Sequence, residues 1–192
     1  MHKRRKLQVL VNVKEYLVFK ETFEGFYFKS VDFNLTTVEK LHHHYPMVNK
    51  LEFACNELPI NILIELLKKC STNLVSLKID AASITHESQN FVELFGTINT
   101  LSKLRKLKMK FLSGNFGNNL DLKILSQLRE FSVKLDGKIY GINSFLNSLE
   151  RHAILNNDLQ KVSISPIEYD ELERFCQLPD NMRNKFSYMV LN

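Results

Sequence analysis

Seven times along this chain, three apolar residues recur in the spacing Leu-x-x-Leu-x-Leu, with polar or small residues filling the gaps. The sets are Phe23, Phe26, Phe28; Val48, Leu51, Phe53; Leu74, Leu77, Ile79; and Leu104, Leu107, Met109. Leu128, Phe131, Val133; Leu159, Val162, Ile164; and Phe186, Met189, Leu191 complete the series. Their starts lie 24 to 31 residues apart. The alternation at the end of each set predicts a short strand with one buried face, because successive strand side chains point to opposite sides. A second apolar pattern, at i, i+3, i+4 and i+7, follows several sets and predicts a helix packed back onto the strand. It runs through Val38, Leu41, His42, Tyr45; Leu63, Leu66, Leu67, Cys70; Phe91, Leu94, Phe95, Ile98; and Ile142, Phe145, Leu146, Leu149, with a shorter form at Leu172, Phe175, Cys176. Thr36 or Thr37 before Val38, and Thr85 followed by His86, Glu87 and Ser88, supply helix-start chemistry.

Each unit therefore reads as strand, loop, helix, loop. One is shorter: Ser113-Gly114-Asn115-Phe116-Gly117-Asn118-Asn119 is turn chemistry that leaves room for only a brief helix around residues 122–125. Asn156 to Asp158 reads as a similar turn ahead of the sixth strand. The period resembles that of leucine-rich repeat proteins, whose units run 20–29 residues. The resemblance implies an α/β solenoid, a right-handed horseshoe of about seven parallel strands on the concave face with helices on the convex face. Residues 1–22 are expected to form a basic tail and a degraded N-terminal repeat element. Leu7, Leu10, Val11 and Leu17 suit a helix there, while Val9, Val11 and Val13 would suit a strand. Residues 23–192 form the repeat domain, which is expected to end mid-repeat, because only Asn192 follows the last apolar set. An array ending in this way reads as a fragment, or as one needing a partner at its end.

The stretches Leu66-Leu67-Lys68-Lys69-Cys70-Ser71-Thr72-Asn73-Leu74-Val75-Ser76-Leu77 and His44-Tyr45-Pro46-Met47-Val48-Asn49-Lys50-Leu51 carry a cysteine or proline turn just before a strand. In this they resemble the repeats of intracellular F-box leucine-rich-repeat proteins. Cys55-Asn56 is similar to the cysteine or asparagine that such repeats place after the strand; Ala82, Leu112 and Ile167 depart from it. The resemblance implies substrate recognition for a ubiquitin ligase, with a cullin-ligase adaptor as a further partner if the full-length chain carries an F-box. No F-box is found upstream of residue 23. Leu58-Pro59-Ile60-Asn61-Ile62-Leu63 imitates the opening of one, but it lies in phase within a repeat, and the sequence has no tryptophan.

Composition narrows the picture. A hydrophobic content of 44% with 24% charged residues is that of an ordinary globular protein. No apolar run reaches the length of a membrane span, and the apolar stretch after the basic start is broken by Asn12, Lys14 and Glu15, unlike a secretory signal. Cys55, Cys70 and Cys176 make no disulfide framework and no zinc spacing, so a reducing cytoplasmic or nuclear location is expected. Without a secretory signal, the sequon Asn34-Leu35-Thr36 would stay unmodified.

The positions between the apolar residues carry the charge. If the strands alternate, Gly25, Tyr27, Lys29, Lys50, Glu52, Ala54, Ser76, Lys78, Asp80, Lys106, Lys108 and Lys110 face outward. So do Glu130, Ser132, Lys134, Lys161, Ser163, Ser165, Tyr188, Val190 and Asn192, and together these positions bring eight lysines against three carboxylates. Such a face predicts an acidic or phosphorylated protein partner. Lys78, Lys106, Lys108, Lys110, Lys134 and Lys161 would form its charged centre, with Tyr27 and Tyr188 as aromatic anchors. The alternatives are a free-standing or decayed repeat scaffold whose lysines are merely solvated, and a nuclear protein associated with nucleic acid. Lys3-Arg4-Arg5-Lys6 suits the latter, but two outward tyrosines are too few for base stacking. Adjacent His42, His43 and His44 diverge around a helix and are not expected to share a metal ion. Gly-x-Ser-x-Gly, His-Glu-x-x-His and phosphate-loop motifs are all missing from the sequence. The chain therefore reads as a binding module and not an enzyme, with no cofactor.

Overall fold

A computed structural model describes residues 9–10, 25–29, 48–58, 60–70, 72–84, 88–111, 114–115, 120–135, 139–140, 142–153, 155–167, 180–184 and 186–190. Strands β1 (Val9–Leu10), β2 (Gly25–Lys29), β3 (Lys50–Leu58), β4 (Ser76–Ile84) and β5 (Lys106–Phe111) are followed by the two-residue β6 (Gly114–Asn115). Then come β7 (Glu130–Leu135), the two-residue β8 (Ile139–Tyr140), β9 (Lys161–Ile167) and β10 (Phe186–Val190). Among the described residues, eight strands join one parallel sheet in the order β1-β2-β3-β4-β5-β7-β9-β10, while β6 and β8 pair separately. Each strand of the main sheet thus lies beside its predecessor in the chain. Parallel neighbours require a crossover between them, and three helices supply crossovers: α1 (Ile60–Cys70), α2 (Ser88–Ile98) and α3 (Ile142–Ala153). Between β5 and β7 the described residues hold β6, within the stretch read from sequence as a turn, and a 3-10 segment at Lys123–Ser126. The four-residue α4 (Asp180–Arg183) precedes β10.

The expected sides of the strands are observed. Leu51, Phe53, Leu77, Ile79, Leu107, Met109, Phe131, Val133 and Val162 are all buried. The first residues of their sets, Val48, Leu74, Leu104, Leu128 and Leu159, join them in one continuous core. The helices close this core from the same side with Leu63, Leu66, Leu67 and Cys70 from α1, Leu94, Phe95 and Ile98 from α2, and Phe145, Leu146 and Leu149 from α3. The decoy residues Ile60, Ile62 and Leu63 are spent in the same core, with Leu58 ending β3 and Ile60 opening α1. At Cys70, burial pushes the thiol up to about 12, so it packs as a small apolar group and not as a nucleophile. The helices expected at 38–45 and 172–176, with His42, His43, His44 and Cys176, lie outside the described residues.

Two ladders tie each unit to the last. In the first, one backbone carbonyl accepts two consecutive N–H groups of the next unit: Asn49 O from Val75 and Ser76, Val75 O from Arg105 and Lys106, Arg105 O from Arg129 and Glu130, and Arg129 O from Gln160 and Lys161. The second is built from side-chain amides. Gln127 Nε2 donates to the carbonyls of Leu101 at 2.7 Å and Leu104 at 3.3 Å, and Asn156 Nδ2 donates to the equivalent carbonyls one unit later, Leu125 at 2.6 Å and Leu128 at 2.7 Å. Buried turns need such partners, because an unpaired carbonyl away from water is costly.

At the ends, the structure selects between the two readings of the N-terminal stretch and shifts the register of the last strand. Val9 and Leu10 pair in parallel with Phe26 and Tyr27, so these two residues are strand and not helix. In β10, Phe186 pairs with Val162 and Tyr188 with Ile164, whereas the apolar spacing placed Met189 and Leu191 in those positions. The strand starts three residues early because α4 runs almost directly into it: Asn184 N–H still bonds the carbonyl of Asp180 at 3.2 Å, and Phe186 opens the strand. Tyr188 therefore shares the backbone register of the Phe53-Ile79-Met109-Val133 row.

Candidate binding face

Parallel pairing without offset brings the residues between the leucines into three cross-strand rows. Lys50, Ser76, Lys106, Glu130 and Lys161 form one; Glu52, Lys78, Lys108, Ser132 and Ser163 the next; Ala54, Asp80, Lys110, Lys134 and Ser165 the third. Adjacent members of a row stand about 4.8 Å apart at the backbone. Among these, Lys50, Lys106, Lys108, Lys134 and Lys161 are exposed, and Glu52, Lys78, Asp80, Lys110 and Glu130 are half-buried. β2 extends the rows with Gly25, Tyr27 and Lys29, so Tyr27 stands in register with Glu52 at the edge of the charged field. All six lysines expected from the sequence thus sit on one face of four neighbouring strands, β4, β5, β7 and β9.

The carboxylates on that face are its internal counter-charges. Lys78 Nζ donates to Glu52 Oε1 at 2.6 Å, and Lys50 Nζ lies 3.6 Å from the other oxygen. Lys106 Nζ donates to Glu130 Oε1 at 2.6 Å, and Lys110 Nζ lies 3.9 Å from Asp80 Oδ1. Burial opposes the charge of Glu52, but the hydrogen bond and charge of Lys78, with those of Lys50, hold its carboxyl below the ordinary value of 4.5. For Glu130 the hydrogen bond from Lys106 dominates, partly opposed by burial and reinforced by the charges of Lys106, Lys108 and Lys161, so its carboxyl is lowered too. Exposed pairs of this kind add little stability, typically about 0–1 kcal/mol each. What they change is the distribution of charge. Lys108 on β5 and Lys161 on β9 have neither an ion pair nor a hydrogen bond among the described residues, although both act on Glu130 through their charge.

Both glutamates are lowered in the folded state, so the stability they contribute is fully present above the ordinary glutamate range and is lost as pH falls through their native values. Between about pH 6 and about pH 3 the wild-type melting temperature is expected to fall more steeply than that of an E52Q/E130Q double variant, as followed by circular dichroism. Parallel curves would show that the pairs do not contribute.

Glu52 and Glu130 were legible in principle. Each stands in the same phase of its unit as a lysine one unit away, Lys78 and Lys106 respectively, and equal phase places them side by side. Ser132 and Ser163, adjacent in the middle row, are half-buried and keep the floor of the face low between longer lysines. Among the described residues, no cluster of three or more His, Cys, Asp or Glu could hold a metal ion, and no helix is long and apolar enough to cross a membrane. No protein-family model, curated protein or solved structure gives a significant match to the chain.

Proposed function

We propose that this chain is a leucine-rich repeat solenoid that recognises a protein partner of acidic or phosphorylated character on the open face of its sheet. The observation that carries the reading is the alignment of Lys78, Lys106, Lys108, Lys110, Lys134 and Lys161 on one face, in excess of the carboxylates among them. The spacing of the apolar sets, the one-way strand order and the two ladders that repeat from unit to unit support the solenoid assignment. The mechanism is static: a preformed sheet presents fixed charges, and any chemistry is done by another domain or chain. The resemblance of the Leu66 to Leu77 stretch to F-box leucine-rich-repeat proteins extends this proposal to substrate reading for a ubiquitin ligase. The ion pairs Lys78–Glu52 and Lys106–Glu130 favour a second reading, a scaffold whose face is neutralised within itself.

Binding of a fluorescent oligoglutamate peptide, followed by anisotropy, separates the two. Wild-type protein is expected to bind it and to lose affinity with added salt, while the K106E/K108E/K110E variant loses at least about tenfold with its circular dichroism spectrum unchanged. Equal affinity in the variant would favour the scaffold. Co-purification of the full-length chain with the cullin adaptor tests the ligase role separately.

A further inference from the structure

Four of the chain's 21 acidic residues fall within six positions. They are Glu168, Asp170, Glu171 and Glu173, with no basic residue among them, and away from this stretch no six consecutive residues hold more than two. The first follows Ile167, the last residue of β9, and the stretch 168–173 lies outside the described residues. The lysine face is its opposite in charge: Lys106, Lys108 and Lys161 are exposed there around the single carboxylate of Glu130. Complementary charge of this kind steers association and fixes which surfaces meet. Tyr169, between the first two carboxylates, is of the residue types that anchor interfaces.

Topology decides which copy of the face the stretch can meet. β9 and β10 are parallel neighbours, so the connection between them crosses over, and a right-handed crossover follows the side that α1, α2 and α3 occupy. The lysines stand on the other side of the same sheet. A connection that returns behind the sheet meets the lysine face of a second copy and not its own.

We propose that the lysine face of one copy, centred on Lys106, Lys108 and Lys161, receives the acidic stretch 168–173 of a second copy of the chain. The contact joins two different surfaces, so each copy gives one and receives one, and association is head-to-tail. This rests on the acidic-partner reading above and names the acidic partner as the chain itself. A face so occupied is closed to other acidic segments, so self-association and partner binding compete.

Sedimentation velocity of the full chain provides the test. In low salt the wild-type sedimentation coefficient is expected to rise with protein concentration, and to return to the monomer value as salt is added. E168Q/D170N/E171Q/E173Q, which removes the charges at nearly constant shape, and K108E/K161E, which reverses the receiving face, should each raise the dissociation constant at least about tenfold, with circular dichroism unchanged. Mixing the two variants restores one intact contact, because the first keeps its lysines and the second its carboxylates, so a one-to-one heterodimer is expected. Variants that lose association alone but do not recombine would overturn the proposal, since the contact would then lie elsewhere. A wild-type chain that stays monomeric in low salt would overturn it as well; binding of the oligoglutamate peptide would then leave the acidic-partner reading standing, and failure of that peptide would overturn both. If such a monomer bound a fluorescent peptide of residues 167–173 only after its own carboxylates were neutralised, the occupant would be the chain's own stretch, against the proposal.

Discussion

Phe131→Ala is expected to lower the unfolding free energy by about 3–5 kcal/mol, the usual cost of removing a fully buried phenylalanine. Its ring is wholly shielded from solvent on β7 and stacks on Phe145 of α3, with centroids 6.2 Å apart and planes 30° from each other. This pair joins the sheet to its helical layer next to a crossover whose described helical element is a 3-10 segment. Neighbouring buried residues Leu128, Val133 and Leu149 cannot refill the space of an aromatic ring without leaving their rotamers, so a cavity remains. Folded domains are stable by only about 5–15 kcal/mol, so the variant would lose a large share of its margin. Urea denaturation monitored by circular dichroism measures the loss. Phe131→Leu, which keeps most of the volume, should cost far less, and a double-mutant cycle with Phe145→Ala should return a coupling of about 0.5–1.5 kcal/mol from the ring contact. A loss below about 1 kcal/mol in Phe131→Ala would mean that the layer packs some other way.

Phe131 and Phe145 show what can be read from the chain before any coordinates. Each occupies an apolar position of a local pattern, a strand set in one case and a helix face in the other, and hydrophobic burial obeys such patterns because it is non-directional. From Val48 to Val162 the strands of the main sheet, their buried side and the lysine positions follow from that spacing, whereas the small β6-β8 pair does not. The pattern misleads where local geometry competes with it. In the last unit the set Phe186, Met189, Leu191 looks complete, but the close approach of α4 advances the strand, and parity then moves Tyr188 into the register of the buried row. A shift of an odd number of residues exchanges the two faces of a strand. On the lysine face, counting lysines along β5 leaves out the carboxylates that phase brings beside them from β4 and β7.

Least legible were the polar side chains that bridge successive turns. Gln127, Asn99, Ser148 and Asn156 carry no motif, and their partners lie 22 to 31 residues away: Asn99 Nδ2 donates to Asp121 O, Asn99 Oδ1 accepts from Ile124 N–H, and Ser148 Oγ accepts from Leu122 N–H. Asn156 reads locally as a turn residue, and it does serve the turn, since its Oδ1 accepts the N–H of Asp158 at 2.9 Å. Its larger task becomes visible only when two turns are stacked.

That task makes Asn156→Ala the second substitution with a large expected effect. The side chain is 4% exposed, and its amide saturates two carbonyls of the preceding turn, those of Leu125 and Leu128. Alanine leaves both without this donor in a place where water does not readily replace it. At about 1–3 kcal/mol for each buried polar group left unsatisfied, a total loss of about 2–6 kcal/mol is expected. Packing alone would predict less, because the change removes only a small polar group. Asn156→Asp separates the two explanations: it keeps the shape but replaces the donor by a carboxylate oxygen facing two carbonyl oxygens, and should be worse than alanine. Asn157→Ala, at the exposed neighbour, should stay within about 0.5 kcal/mol of wild type. Amide exchange locates the damage. The N–H groups of Gln160 and Lys161, which bond the carbonyl of Arg129 at 2.8 and 3.2 Å, should lose protection first in Asn156→Ala, because the turn that delivers them has lost its tie to the unit before. If Asn156→Asp were as stable as wild type, the amide ladder would be incidental to the fold, and the units would be held by their apolar core and backbone hydrogen bonds.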